Sequence, residues 1–153
     1  MLHQWLALAL ASAVALISTA QANGEVIATC HSPIGRAYFP SLGATPPSMS
    51  RWEDDKARGA TITITRDQAG FDVTFRDLGG HVRSSRADGA LVTRRMGDAE
   101  AQTFEVFYEQ EGVVELYSPF RDHLGKRRLI MMQNRIGGTA AVPKAAVLLA
   151  DCG

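Results

Sequence analysis

From Ala60 onward, apolar and polar residues alternate with a period of two. Ile62 and Ile64 are interleaved with Thr61, Thr63 and Thr65, and Phe71, Val73 and Phe75 with Asp72 and Thr74. Successive side chains of a strand point to opposite faces, so this alternation predicts strands with one apolar and one wet face. Asp67 to Gly70 and Asp77 to Gly80 read as turns. His81 to Arg86 reads as a more polar strand, Asp88-Gly89 as a tight hairpin turn, and Ala90 to Arg95 as the returning strand. Gln102 to Gln110 buries Phe104, Val106 and Tyr108, and Glu111-Gly112 turns the chain into Val113 to Tyr117. A wider loop is expected over Pro119 to Gly125. In Lys126 to Gln133 both phases are apolar (Leu129 and Met131, Ile130 and Met132), which predicts burial on both sides. Gly137-Gly138 ends that strand. Lys144 to Cys152 reads as a closing strand in preference to the short helix that its Ala and Leu content also favours.

The earlier part of the chain is less regular. Glu25 to Cys30 is a short strand candidate. His31 to Ser50 is expected to be a long loop, because Pro33, Gly35, Pro40, Gly43, Pro46 and Pro47 punctuate it. Ser50-Arg51-Trp52-Glu53 matches a capping box and predicts a short helix over Arg51 to Arg58, stopped by Gly59. The expected fold is therefore all-β: an antiparallel meander of eight or nine strands, barrel or sandwich, with one short helix.

The apolar run from Trp5 to Ile17 is too short to span a hydrocarbon core of about 30 Å. Small residues follow it, and Ala20-Gln21-Ala22 fits the A-x-A pattern of a signal-peptidase site. The expected organisation is a signal peptide over residues 1–22, cleaved after Ala22, and one β domain over residues 23–153, exported to the periplasm or beyond. Its two cysteines, Cys30 and Cys152, read as a disulfide in that oxidising setting. Such a bond would bring the first and last strands side by side and zip the seam of a barrel.

The 16 basic and 16 acidic residues cancel, so the chain carries no global basic field of the kind nucleic-acid binding needs. Arg94-Arg95 and Lys126-Arg127-Arg128 are small basic clusters, but neighbours on a strand face opposite ways and make no single patch. His31, His81 and His123 have no metal-binding spacing among them. There is no G-x-S-x-G elbow. No catalytic residue, cofactor or metal site is therefore assigned from the sequence, and a hydrolase or other enzyme is the least favoured reading, with His31 or His123 as its base. His31, Tyr38, Phe39 and Trp52 form the candidate binding loop, where aromatic side chains would line a ligand mouth or partner patch or plug the barrel with the short helix.

Cys30-His31-Ser32-Pro33, Tyr38-Phe39, Phe71 to Asp77, Asp88-Gly89, Glu115-Leu116-Tyr117 and Lys144 to Val147 before Cys152 follow one another in an order that resembles small exported bacterial β-rich proteins of unknown function. That resemblance covers most of the chain after residue 22. It implies a compartment and a fold class and carries no catalytic residues. In build the chain is also similar to periplasmic lysozyme inhibitors and to lipocalin-like calyces, without the lipocalin G-x-W signature.

The expected function is a non-enzymatic exported binding module of the cell envelope, acting on a protein or envelope component through loops at one end. The alternative is a lipocalin-like carrier of a small apolar ligand, with a cavity lined from among Phe71, Val73, Phe75, Phe104, Val106, Leu129 and Met131. Those residues would equally fill a solid core, and the sequence leaves the two cases open.

Overall fold

The computed structural model describes residues 24–42, 45–98, 100–136 and 142–153. The expected signal peptide and its cleavage site at Ala22 lie outside these residues, as does the Gly137-Gly138 break.

Ten strands form one antiparallel sheet that curls into a half-barrel. They are β1 (Glu25–Phe39), β2 (Arg51–Lys56), β3 (Thr61–Asp67), β4 (Gly70–Arg76), β5 (Val82–Ser84), β6 (Leu91–Gly97), β7 (Gln102–Tyr108), β8 (Val113–Arg121), β9 (Arg127–Arg135) and β10 (Lys144–Cys152). The order across the sheet is β5-β4-β3-β1-β10-β9-β8-β7-β6, with β2 paired to the second half of β1. The all-β antiparallel class expected from the alternation is what forms.

Three local expectations are corrected. The segment from His31 to Phe39 is strand, not loop, and belongs to a 15-residue β1 at the centre of the sheet. Pro33 is tolerated there because the register slips between His31 and Ile34, where Ser32 takes a φ of 49°. A bulge of this kind is where a sheet accepts a proline. The strand before the bulge pairs with β3, and the strand after it pairs with β2. Secondly, Arg51–Lys56 is strand β2 and not helix. Ser50 makes no capping box; its hydroxyl is bonded to the Tyr38 hydroxyl at 2.9 Å, while Glu53 accepts from Arg51 Nε at 2.6 Å. The only helical turn among the described residues is a 3-10 turn at Pro47–Met49. Thirdly, β8 runs through Pro119 to Arg121, so the loop expected from Pro119 begins later.

Cys30 and Cys152 face each other across the β1–β10 ladder and form the disulfide. The end strands therefore pair as expected, but not at a seam. The two ends of the strand order are β5 and β6, which are consecutive in sequence. Asp88-Gly89 turns the chain between them, with Gly89 at a φ of 89°, yet β5 pairs only with β4 and β6 only with β7. The expected hairpin is replaced by a plug. The Ser85 amide donates to the Val73 carbonyl, the Ser84 hydroxyl to Asp72 (2.7 Å), and the Tyr108 hydroxyl of β7 to Ser85 (3.0 Å). Arg86 grips Asp67 with two hydrogen bonds of 2.9 and 2.6 Å. Side chains thus bridge a gap that no ladder closes.

Ile62, Ile64, Phe104, Leu129, Ala28 and Ala150 pack the interior with almost no exposure. Phe71 lies against Phe104 with ring centroids 5.2 Å apart. The second apolar phase of β9 is not buried: Ile130 and Met132 are exposed on the outer face, contrary to the two-sided burial expected.

Candidate functional site

Inward residues of β7 to β10 fall into rows across the sheet. One row reads Phe104, Tyr117, Met131, Leu148; the next reads Val106, Glu115, Gln133, Ala146; the outermost reads Tyr108, Val113, Arg135, Lys144. The first row is apolar apart from one hydroxyl, the second contains a carboxylate and an amide, and the third carries two cations. Polarity thus rises toward one end of the half-barrel.

That end is hollow. A cavity of roughly 490 Å³ opens there, within the range of small-molecule sites. Its apolar floor is formed by Val73, Phe75, Met131 and Leu148. Tyr108, Glu115, Tyr117 and Gln133 make its polar wall, and Asp55, Arg83, Asp88, Glu111, Arg135 and Lys144 surround the mouth. The opposite end, with Phe71, Phe104, Leu129 and Ala150, belongs to the packed core. The choice between hollow and solid left open by the sequence is thereby divided: Val73, Phe75 and Met131 line the cavity, while Phe71, Phe104, Val106 and Leu129 do not.

Glu115 is the centre of the wall. It is buried, 8% exposed, and both carboxyl oxygens accept a hydrogen bond: Oε2 from the Tyr117 hydroxyl at 2.6 Å, Oε1 from Gln133 Nε2. Tyr117 is two residues along the same strand face, and Gln133 is its direct cross-strand partner. Burial, and then the Glu115 charge, push the Tyr117 phenol well above its ordinary range. It stays a donor at any physiological pH. The Tyr108 phenol is also raised, chiefly by desolvation.

The cations at the mouth are engaged. Arg83 donates from Nε (3.1 Å) and Nη2 (2.9 Å) to Asp88, a contact that raises its pKa. Lys144 Nζ lies 2.6 Å from Asp55 and ties β10 to β2. Arg135 makes no ion pair among the described residues.

The residues singled out from the sequence are not gathered in this site. His31 sits at the β1 bulge, exposed, with Nδ1 3.2 Å from Thr61 Oγ1. Tyr38 and Phe39 are at the far end of the same strand, and Trp52 is on β2, its ring 5.5 Å from that of Tyr38. At about 3.3 Å per residue, His31 and Tyr38 are separated by roughly 20 Å. None of the four lines the cavity. His81 pairs with Asp77 in a surface turn, and no three metal-ligating side chains converge among the described residues. Glu115, Tyr117 and Gln133 were missed as site residues. Their signal was the inward phase of Val113, Glu115 and Tyr117, obscured because Val114 and Leu116 make the other phase apolar too.

The outer face carries a second feature. Ile34, Leu149 and Ile130 are cross-strand neighbours on β1, β10 and β9, and Val147 and Met132 form the next pair. All five are at least 36% exposed. No helix among the described residues is long and apolar enough to cross a membrane. No family model, no curated protein and no solved structure matches the chain.

Proposed function

We propose that this is a non-enzymatic, exported binding protein whose half-barrel holds one small molecule in its open end. The observation that carries the reading is the cavity of roughly 490 Å³, with an apolar floor and a wall of a few convergent polar groups. Neither His31 nor His123 lines it. Export is supported by the apolar run before Ala20-Gln21-Ala22 and by the Cys30–Cys152 disulfide.

Native mass spectrometry of the protein recovered without reductant from an exporting host tests both halves. The expected protein mass is that of residues 23–153 less two hydrogens, with an additional mass lost on denaturation. Bare protein that also fails to take up an apolar fluorescent dye would overturn the carrier reading. Met131→Trp, which fills the floor, should abolish uptake while preserving the far-ultraviolet circular dichroism.

A protein of the cell envelope is the second reading, favoured by the exposed row of Ile34, Leu149 and Ile130. Replacing Leu149 and Ile130 by Lys should then abolish co-purification of that protein and leave dye uptake unchanged. Unchanged co-purification would dispose of this reading.

A further inference from the structure

The geometry points to an organic cation as the ligand: an amine whose ammonium group meets the Glu115 carboxylate and whose apolar body lies over Val73, Phe75, Met131 and Leu148. This rests on the carrier reading and specifies its chemistry.

An ionised carboxylate taken out of water is expensive unless it is paired as well as hydrogen-bonded. Glu115 is over nine-tenths buried and receives hydrogen bonds only from two neutral donors, Tyr117 and Gln133. A carboxylate has about four acceptor sites, so about half its capacity is left over on a group that lines the cavity. No Lys, Arg or His lies within ion-pair distance of it among the described residues.

Two of the three cations at the mouth are held elsewhere. Arg83 is held by Asp88 and Lys144 by Asp55, each acid lying on the mouth side of the wall. Arg135 is exposed, one row nearer the mouth than Gln133. The two fixed donors orient the carboxylate and leave the cavity-facing capacity for a donor that arrives with the ligand. An ammonium group satisfies both needs at once, because it donates hydrogen bonds and cancels the charge. A ligand carboxylate would meet like charge there, and an alcohol would satisfy only the hydrogen bond.

The apolar floor specifies the rest of the molecule. Val73, Phe75, Met131 and Leu148 offer no donor or acceptor, so the part of the ligand beneath the ammonium group is hydrocarbon or aromatic.

The test compares three probes of nearly one shape on the disulfide-bonded protein: tryptamine, tryptophol and indole-3-acetate, each competed against an apolar fluorescent dye at neutral pH. Tryptamine is expected to bind at least tenfold more tightly than tryptophol, and indole-3-acetate most weakly. Glu115→Gln should erase the preference for the amine and retain binding of the alcohol. Equal affinities, a preference for the carboxylate, or dye uptake with no competition by any of the three would overturn the cationic ligand while the carrier reading stands. Failure of the dye itself to bind overturns both. If Glu115→Gln does not fold, the ratio of amine to alcohol on the unaltered protein decides the matter alone.

Discussion

Tyr117 does its work through one hydroxyl. The ring is part of the apolar floor row, and the oxygen reaches one row outward to Glu115. Tyr117→Phe keeps the ring and removes a donor from a buried carboxylate. The expected loss is about 1–3 kcal/mol of stability, read from urea unfolding; an unchanged unfolding midpoint would show that Glu115 finds its donors elsewhere. The Arg86 guanidinium beside Asp67 holds that carboxyl at about 2, against an ordinary 3.8. Because the folded value lies below the unfolded one, the contribution is complete above 3.8 and is lost as pH falls through about 2. Arg86→Gln should return Asp67 toward its ordinary value in a carboxyl titration followed by NMR, and should flatten the dependence of stability on pH within that window. An Asp67 titration that does not move would mean that the turn amides, not Arg86, set its pKa.

At the scale of elements, the half-barrel depends on how closely β1 and β10 approach. A Cβ built on Gly35 would lie 2.0 Å from the Val147 carbonyl oxygen, and this neighbour is backbone that cannot swing aside. Gly35→Ala is therefore expected to cost about 1–3 kcal/mol by forced separation of the two strands, measured by thermal unfolding with the disulfide intact. The same strand shows what was legible in the sequence. Period-two alternation placed β3, β4 and β7, because each buries one face against the core, whereas β8 and β9 are apolar in both phases and were placed by the turn residues around them. Alternation did not place the second half of β1, where Pro33 signals a break and the chain instead absorbs it in a bulge beside Ser32. Ser50 and Glu53 had the spacing of a helix cap, but Trp52 and Glu53 found cross-strand partners in Tyr38 and Ala37, and pairing overrode local preference. The candidate site was the least legible part. Three of its four floor residues, Val73, Phe75 and Met131, were among the possible cavity residues and Leu148 was not, whereas Glu115 and Gln133 are polar groups in a buried phase that only the β8–β9 register brings together.

The whole molecule has its strongest joint in the middle and its weakest at the edges. The disulfide closes a sequence separation of 122 residues at the central β1–β10 ladder, for which chain entropy allows roughly 4–5 kcal/mol. The gap between β5 and β6 is held by the Ser85 plug, and the Tyr108–Ser85 hydrogen bond that crosses it lies on the wall of the cavity. Opening of the seam therefore loosens the cavity wall, and on the proposed carrier reading a ligand that fills the cavity should hold the seam shut. Native-state hydrogen exchange reads this directly. In the empty protein, amides of β5, β6 and the turn between them should exchange first, and those of β1 and β10 last. Tyr108→Phe removes the crossing bond, worth about 1 kcal/mol, and should speed exchange by roughly fivefold at the seam while leaving β1 and β10 unchanged. Saturating ligand should slow the same seam amides. If Tyr108→Phe instead accelerates exchange uniformly, the sheet opens only as a unit, and ligand entry would have to proceed through the mouth with the seam closed.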